Sequence, residues 1–435
     1  EGDNFSIAAF DVSSVAGGSI NLDDNGTPTD ASDDRLVYTP LAGFTGTDSF
    51  SYTIEDSNGN ASNSATVNVT VPSNPPLIVT GTSVFEKQIV DTTMTATHMV
   101  AAADLDGDGD IDLAATAEDD NTVAWFENEG TLGFTKRVVD ATLVQAYPLS
   151  LTDIDDDDDV DILVGGYGAD EFVVYANDGR GSFIRQVVLP SNGPHSIFAT
   201  DMDGDGDQDL VTSSQDANTA AWYENDGNEN FTLRVIDANL QRAKTAIPAD
   251  VNGDGDIDVI GTSNLSDAVV WYENDGNQSF VKRTIDNNAD GAYYAIAADL
   301  DGDGDQDLAS VGQNDNTVAW YLNDGSENFE KIVIDSSVTG ARSVAAADID
   351  GDGDVDLFAA ARDGNTLNLY ENKGTGRFTG RFVDPNIDGA YGVDTFDVNQ
   401  DGLLDVLSAA RDAAEIAVYI DRKSTRLNSS HYRTS

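Results

Sequence analysis

The sequence predicts an all-β protein, a seven-bladed β-propeller with an N-terminal partial β-sandwich. A nine-residue motif rich in aspartate occurs seven times, and successive copies start 48 or 49 residues apart. Each copy is accompanied by four short apolar or aromatic segments, and none of these segments shows a sustained helical period. A repeat of about 40–50 residues that contains four strands is typical of a propeller blade.

The first 72 residues differ from these repeats. Apolar and polar residues alternate over residues 35–71 between turns rich in Gly and Asn, which is typical of sandwich strands. The pattern resembles the C-terminal half of bacterial Ig-like or cadherin-like domains, so we expect residues 1–72 to be a partial domain that acts as a spacer. Residues 73–84, which begin Ser-Asn-Pro-Pro, are predicted to be a stiff linker.

Residues 85–420 are predicted to form the propeller. In each repeat one apolar strand precedes the aspartate motif and a second follows it, as in residues 99–103 and 113–117. An aromatic third strand, such as VAWFEN at 123–128, leads through an Asn-acid-Gly turn into a fourth strand that opens with Phe. The tryptophans of the third strands are predicted to pack between blades rather than to bind a ligand; they are Trp125, Trp222, Trp271 and Trp320.

The number of Phe-led strands suggests how the ring closes. The first of them, at residues 85–91, precedes the first motif, whereas the last aromatic strand, at 416–420, has no Phe-led successor. We expect 85–91 to complete the seventh blade as its outer strand, which would remove an unpaired sheet edge. The alternative is a longer chain with further blades.

The two ends of the sequence look unlike natural termini. The chain begins with Glu and lacks a signal peptide, so we expect it to be a fragment of a longer protein. Residues 422–435 contain four basic residues and no acid. The segment DRKSTRLNSSH at 421–431 resembles the translation of a common sequencing adapter, so residues 421–435 are predicted to be a non-native tail; the alternative is a small basic arm.

The seven aspartate motifs are predicted calcium sites. Counted from the first aspartate, carboxylates at positions 1, 3, 5 and 9 can converge on one ion, and Gly at position 6 allows the sharp turn. Position 7 is Leu403 in the seventh loop, so this position is expected to offer its main-chain carbonyl. A single loop of this kind could be an ordinary acidic turn, but seven in register favour metal sites with a structural role.

Up to seven calcium ions are expected, one in each blade. The second loop departs from the pattern because Asp156 and Asp158 replace both glycines, and Asp tolerates positive φ less well than Gly. The predicted ligands of successive loops are Asp104, Asp106, Asp108, Asp110 and Asp112; Asp153, Asp155, Asp157, Asp159 and Asp161; Asp201, Asp203, Asp205, Asp207 and Asp209; Asp250, Asn252, Asp254, Asp256 and Asp258; Asp299, Asp301, Asp303, Asp305 and Asp307; Asp348, Asp350, Asp352, Asp354 and Asp356; Asp397, Asn399, Asp401, Leu403 and Asp405.

On these motifs the chain resembles the FG-GAP/VCBS repeats, which form the propellers of integrin heads and of many bacterial extracellular proteins. The resemblance covers residues 85–420. It implies seven blades with a calcium loop between the first and second strands of each, and an extracellular or cell-surface location. The family includes adhesion modules, lectin-like modules and polysaccharide lyases, so the resemblance leaves the activity open.

A candidate ligand site lies six positions before each loop, at the start of the inner strand and on the face opposite the loops. These residues, called the axial ring, are His98, Tyr147, His195, Lys244, Tyr293, Arg342 and Tyr391. Aromatic rings stack on sugars, and cations pair with uronate or sulfate groups. A His or Tyr base beside a cation could also remove a proton adjacent to a carboxylate. The alternative is that these side chains bond only to one another or to solvent.

Composition restricts the partners. The 79 acidic and 22 basic residues give a net charge of −57, which argues against nucleic acid and anionic membrane surfaces. No apolar run reaches the roughly 18 residues of a membrane span, and the absence of cysteine excludes disulfides and thiolate metal sites. We expect a monomeric calcium-binding module of a larger secreted or surface protein, one that binds a glycan or a surface protein without catalysis. The alternatives are a polysaccharide lyase or another carbohydrate-active enzyme, and a purely structural spacer.

Overall fold

The computed structural model describes residues 5–15, 17, 19–23, 35–39, 46–56, 62–71, 85–130, 132–374 and 376–421. The chain divides into two units, Glu1–Pro75 and Pro76–Ser435. The predicted linker at 73–84 and all but the first residue of the predicted tail lie outside the described residues. In the part of the chain that is described, no helix is long and apolar enough to cross a membrane.

The described residues of the N-terminal unit form two antiparallel sheets. Its strands are β1 (Phe5–Phe10), β2 (Ser19–Asp23), β3 (Arg35–Thr39), β4 (Gly46–Asp56) and β5 (Ala65–Val71). The first sheet has the order β1-β4-β5, and β2 pairs with β3 in the second. Ile20 from one sheet and Phe50 from the other are buried, as alternating strand patterns require.

The second unit begins with β6 (Phe85–Asp91) and continues with strands that form seven four-stranded sheets, the blades. Their strands are β7 (Thr97–Ala103), β8 (Asp112–Ala117), β9 (Thr122–Asn128) and β10 (Phe134–Asp140); β11 (Ala146–Thr152), β12 (Asp161–Gly166), β13 (Glu171–Asn177) and β14 (Phe183–Pro190); β15 (Pro194–Thr200), β16 (Asp209–Ser214), β17 (Thr219–Asn225) and β18 (Phe231–Asp237); β19 (Ala243–Ala249), β20 (Asp258–Ser263), β21 (Ala268–Asn274) and β22 (Phe280–Asp286); β23 (Ala292–Ala298), β24 (Asp307–Gly312), β25 (Thr317–Asn323) and β26 (Phe329–Asp335); β27 (Ala341–Ala347), β28 (Asp356–Ala361), β29 (Thr366–Asn372) and β30 (Phe378–Asp384); β31 (Ala390–Phe396), β32 (Asp405–Ala410) and β33 (Glu415–Asp421).

The blades form a closed ring, which confirms the predicted seven-bladed propeller. The first strand of every blade contacts the first strand of the next, and β31 contacts β7. The seventh blade is completed by β6, which pairs antiparallel with β33 from Phe85 opposite Asp421 to Asp91 opposite Ile416. The chain therefore closes its own ring as predicted, and Asp421 is the last residue of β33, one residue beyond the predicted end.

Burial within a blade explains the sequence pattern. Every residue of the second strands is buried because neighbouring blades cover both faces, whereas the fourth strands are partly exposed. Trp125 of the first blade packs in one cluster with Ile162 and Tyr175 of the second. The four tryptophans are all buried, so they stabilise contacts between blades, as predicted.

The aspartate loops and the third-to-fourth-strand turns lie together on one face, because successive strands run antiparallel. The turn residue Gly227 shows how closely they approach: a Cβ at this position would come within 2.5 Å of the Asp207 carboxylate. Gly227 also has a φ of +72°, which disfavours other residues. The Asn-acid-Gly turns therefore serve both the hairpin and the loop beside it.

A repeated hydrogen bond joins successive blades. The Tyr370 hydroxyl of the third strand in blade 6 donates to Asp335, the last residue of blade 5, at 2.9 Å. Equivalent bonds occur at four other interfaces: Tyr175–Asp140, Tyr272–Asp237, Tyr321–Asp286 and Tyr419–Asp384. At the interface between blades 2 and 3, Tyr223 instead donates to the Pro190 carbonyl at 2.9 Å.

We expect Tyr370→Phe to lower the free energy of unfolding by about 2 kcal/mol, because Oδ2 of the buried Asp335 carboxylate loses its donor while Ser337 still bonds to Oδ1. Tyr223→Phe, which removes a bond to a neutral carbonyl, should cost about 1 kcal/mol. Denaturant unfolding of both variants measures the difference. A loss in Tyr370→Phe no larger than that in Tyr223→Phe would show that the carboxylate adds nothing to this contact.

Candidate functional site

Each aspartate loop is folded around the carboxylate at its first position. Asp104 accepts hydrogen bonds from the amides of Gly107, at 2.8 Å, and Gly109, at 3.0 Å. Both glycines have positive φ, +73° and +94°, so the chain curls back over Asp104. Asp108 in turn accepts a bond from the amide of Asp110. These bonds turn the alternate carboxylates of the loop inward.

The carboxylate at position 9 closes the loop. Asp112 is fully buried and accepts amide bonds from Leu105, at 2.9 Å, and from Asn128 at the end of the third strand, at 2.7 Å. Burial raises the pKa of Asp112 to about 7, although the two amide bonds act to lower it. The same pair of amide bonds occurs in all seven blades, and Asp421 takes the place of the asparagine in the last.

Carboxylate oxygens converge at positions 1 and 3 together with position 5 or 9. In five loops three such oxygens lie within 4.8 Å of one another, in the groups Asp104–Asp106–Asp108, Asp153–Asp155–Asp161, Asp201–Asp203–Asp209, Asp299–Asp301–Asp303 and Asp348–Asp350–Asp356. These clusters bring together predicted ligands from different positions of one loop. An oxygen-only donor set of this kind suits a hard cation such as Ca²⁺ or Mg²⁺.

Asp203 tests whether the donors fit a cation. Its Oδ1 atom is buried and finds no hydrogen-bond donor among the described residues, while Oδ2 accepts one from Gln278 at 3.1 Å. Burial raises the pKa of Asp203, and the neighbouring Asp205 raises it further. A bound cation would satisfy the unpaired oxygen and offset the repulsion, so the residues fit a metal ion.

Position 7 differs from positions 1 and 3 in where its side chain lies. In the described residues, no metal-type cluster includes a carboxylate from this position. Asp207 instead approaches the turn at Gly227, as noted above, and the amide of Leu403 donates to Asp401 at 3.0 Å. The expected main-chain contribution of position 7 stays a prediction.

The loops that depart from the consensus keep its conformation. In the second loop Asp156 and Asp158 adopt φ values of 59° and 69°, in the left-handed region that glycine occupies elsewhere. In the fourth and seventh loops, Asn252 and Asn399 at position 3 accept the amide bond that Asp makes in other blades, at 3.1 and 2.9 Å. The backbone is therefore shared by all seven loops, at some strain in the second and at Gln400 of the seventh, where φ is 56°.

The structure brings the predicted axial ring together at the centre of the propeller. All seven side chains are buried, between 2% and 9% exposed. The hydroxyl of Tyr147 lies 2.8 Å from that of Tyr293 and 2.7 Å from that of Tyr391, and Tyr293 also bonds to Tyr391. The three hydroxyls close the channel, so the ring forms a floor rather than an open mouth.

The basic members of the axial ring surround this floor. The guanidinium carbon of Arg342 lies 4.7 Å from the centre of the Tyr293 ring, and Lys244 Nζ lies at the same distance from it. His195 Nδ1 donates to the Lys244 carbonyl at 2.6 Å, so its Nε2 atom accepts a bond from Lys244 Nζ at 3.0 Å. Burial lowers the pKa of Lys244, and both burial and Lys244 hold the pKa of His195 well below its usual value.

The tyrosines of the floor titrate differently. Burial raises the pKa of Tyr147 and Tyr391 well above the usual value. At Tyr293 burial acts in the same direction, but Lys244 and Arg342 outweigh it and lower the pKa. Tyr293 is therefore the phenol of the floor that loses its proton most readily.

A second set of residues, which sequence analysis missed, lies above the floor. These rim residues occupy the position 14 after the first aspartate of each loop, directly after the second strand, and are Glu118, Tyr167, Gln215, Asn264, Gln313, Arg362 and Arg411. Glu118 accepts bonds from Arg411 at 2.9 Å and from His98 Nε2 at 2.8 Å. The bond from His98 and the further bond from Arg411 lower the pKa of Glu118 to about 2.

Floor and rim together enclose a cavity of about 190 Å³, called the mouth pocket. It is lined by the seven axial-ring residues and by Glu118, Tyr167, Gln215, Arg362 and Arg411. A pocket with several basic groups stands out in a protein with a net charge of −57. Its chemistry suits an anionic or polyhydroxylated ligand.

Another cavity, of about 420 Å³, lies further along the inner strands toward the aspartate loops. Its walls are mainly apolar, with Leu149, Phe198 and Ile296 among them, and Asp394 is a half-buried acid in this lining. Burial raises the pKa of Asp394 to about 6 despite an amide bond from Thr395 at 2.8 Å.

The aspartate repeats match a known family. The sequence matches the FG-GAP-like repeat in six overlapping segments, residues 104–164, 153–212, 201–260, 250–310, 299–359 and 348–408. The chain belongs to the FG-GAP-like repeat family. Residues 1–70 match the bacterial Ig domain, which confirms the Ig-like character of the N-terminal unit.

Solved structures share the propeller fold. A lectin from Agrocybe aegerita, described as recognising non-reducing terminal N-acetylglucosamine, is 20% identical, with a TM-score of 0.51 over 73% of this chain and 87% of the lectin. A virginiamycin B lyase from Staphylococcus aureus is 12% identical, with a TM-score of 0.54 over 77% of this chain and 99% of the lyase. No curated protein matches the sequence. At these identities the similarity establishes the fold alone.

We expect Asp394→Asn to change how stability depends on pH. The folded-state pKa of about 6 lies above the ordinary value of 3.8, so folding favours the protonated acid. The resulting stabilisation is complete below pH 4 and is lost as the pH rises through 6. Relative to Asp394→Asn, the wild type should therefore lose up to about 3 kcal/mol of unfolding free energy between pH 4 and pH 7.

Denaturant unfolding of both proteins across this pH range, at constant calcium, measures the difference. Asp119→Asn, at an exposed acid outside the loops, serves as the control and should follow the wild type at every pH. A difference between wild type and Asp394→Asn that stays constant from pH 4 to pH 7 would refute the assignment.

Proposed function

We propose that this protein is a calcium-stabilised extracellular propeller module that binds a ligand, a glycan or a surface protein, at the mouth pocket. The observation that carries the proposal is the repeated convergence of carboxylates in the aspartate loops on one face. The mouth pocket, on the opposite face, supplies a binding site that the ions do not occupy. In this account calcium maintains the ring, and the opposite face recognises the partner.

Calcium fits these loops better than magnesium does. The loops offer carboxylate and main-chain oxygens at irregular positions, and calcium accepts six to eight oxygens in a flexible shell. Magnesium requires a near-ideal octahedron and retains several waters. Loops of this simple kind suit the weaker binding typical of extracellular calcium modules, with dissociation constants of about 0.1–1 mM.

Binding rather than catalysis is the first proposal for the mouth pocket. Its floor is made of side chains that bond to one another, and an aromatic and basic lining can stack on and pair with a sugar or a side chain. The lectin among the propellers of similar fold is described as recognising a terminal sugar, which agrees with this role. A single propeller with a closed ring needs no second copy, so we propose a monomeric module within a larger secreted or surface protein.

The loop of blade 3 allows a test of calcium binding with a matched control. Asp203→Ala removes an oxygen donor at position 3, so we expect it to bind one calcium ion fewer per chain than the wild type. Asp203→Asn should retain that ion, because Asn252 and Asn399 occupy the same position in other loops. Metal analysis after equilibrium dialysis counts the ions.

Equal ion counts in the wild type and Asp203→Ala would contradict the assignment of this position. A wild type that binds no calcium at millimolar concentration would overturn the proposed calcium-stabilised module as a whole.

A polysaccharide lyase is the second candidate, and the lowered pKa of Tyr293 favours it. A lyase needs a base that removes the proton adjacent to a uronate carboxylate, and cations that neutralise that carboxylate. Tyr293 with Lys244 and Arg342 offers these groups within one pocket. The hydrogen bonds from Tyr293 to Tyr147 and Tyr391 place its hydroxyl in the floor rather than at the rim.

If the protein is a lyase, incubation with polyuronate will give unsaturated products, detected by their ultraviolet absorbance. Tyr293→Phe should then lower the rate at least 100-fold, in the range expected for loss of a general base. Tyr175→Phe removes a contact between blades. It should lower the stability of the protein and leave the rate constant of the reaction unchanged. Absence of unsaturated product from every uronate polymer tested would remove this candidate and leave the binding proposal.

A further inference from the structure

Arg342 is a buried cation that has no anionic partner among the residues that the structure describes. It is 7% exposed, its Nε atom is buried without a hydrogen-bond partner, and within the described residues it makes no ion pair. Its contacts are the faces of Tyr293 and Tyr391, with ring centres 4.7 and 5.7 Å from the guanidinium carbon. Arginine stays charged at any pH that a folded protein survives, so this charge needs an anion that the protein does not supply.

Lys244 lies on the same floor and also has no acid partner among the described side chains. Its Nζ atom donates to Gln215 and to His195, both of which are neutral acceptors. The rim basic groups differ, because Arg411 pairs with Glu118 at 2.9 Å and Arg362 pairs with Asp412 at 3.3 Å. The uncompensated positive charge is thus confined to the floor, at Arg342 and Lys244.

The walls of the mouth pocket suit the rest of a sugar. Glu118 and Gln215 present oxygen atoms that can accept bonds from hydroxyl groups, and Tyr167 offers an aromatic ring. The three tyrosine hydroxyls close the bottom of the pocket. A ligand therefore enters from the rim, with one of its own ends leading. Because the floor closes one side of this pocket of about 190 Å³, the end of a glycan reaches Arg342 more readily than the middle of a polymer does.

We infer that the mouth pocket binds the carboxylate of a terminal sugar acid, such as a uronic acid at the end of a glycan, with Arg342 and Lys244 as its anion-binding groups. This inference rests on the proposed binding function and names its ligand class. The carboxylate pairs with the Arg342 guanidinium, and the hydroxyl groups face Glu118 and Gln215. The negative field of the whole protein repels an acidic sugar. The basic floor provides a local positive site that can bind one.

Matched sugars test the inference in the calcium-loaded full chain. We expect glucuronic acid and galacturonic acid to bind in an NMR titration, and glucose and galactose to bind at least tenfold more weakly. Arg342→Gln should weaken uronate binding at least tenfold. Arg234→Gln changes an exposed arginine on the outer strand of blade 3 that pairs with Glu224 of the third strand, and it should bind like the wild type.

Thermal unfolding without sugar separates lost binding from lost folding. Because Arg342 has no anionic partner, Arg342→Gln should melt no lower than the wild type, while uronate should raise the melting temperature of the wild type only. Neutral sugars that bind as well as uronates, or uronate binding that Arg342→Gln leaves unchanged, would overturn the inference. Binding of galactose 6-sulfate without binding of either uronate would overturn the choice of a carboxylate.

The outcome is independent of the calcium proposal. If calcium binds and stabilises the chain but no uronate binds, the pocket inference fails and the calcium-stabilised module stands. If neither calcium nor uronate binds, the proposed function fails as well.

Discussion

Carboxylate repulsion is the force that this propeller must overcome, because every blade places three to seven acids in one nine-residue loop. Oxygens held within 4.8 Å of one another repel by about 1 kcal/mol per pair in water and about 3 kcal/mol where the effective dielectric constant is near 20. The fold nevertheless requires the loops, since the aspartate at position 9 binds the amides of its own loop and of the third strand. The same acids that order a blade therefore oppose one another unless a cation is present.

The two faces of the ring differ in the sign of the charges that they bring together. On the loop face, acids converge, and a cation would stabilise the first-to-second-strand connection of each blade. On the opposite face, Arg342 and Lys244 are buried and pair with no acid in the described part of the chain, so an anion would stabilise them. The blades between are joined by apolar clusters and by bonds such as that from Tyr370 to Asp335, which need no ion.

Periodicity made most of the fold predictable, and it also identified the axial ring. Closure by Phe85–Asp91 followed from counting strands, and Tyr147 and Tyr391 followed from counting back from each loop. The meeting of these two hydroxyls could not be predicted, because it depends on how closely seven inner strands approach the axis. The rim residues Arg362 and Arg411 occupy the same position after the first aspartate of their loops, so counting forward from each loop would have found them. The residue types at this position vary too widely across the seven blades to predict a binding site.

The central claim is that divalent ions in the loops stabilise the ring, and thermal unfolding in millimolar calcium and in excess chelator tests it most directly. At dissociation constants of about 0.1–1 mM, millimolar calcium contributes about 0.4–1.4 kcal/mol at each site, so seven sites together should separate the two melting temperatures by several degrees. Melting at the same temperature in calcium and in chelator would contradict the account.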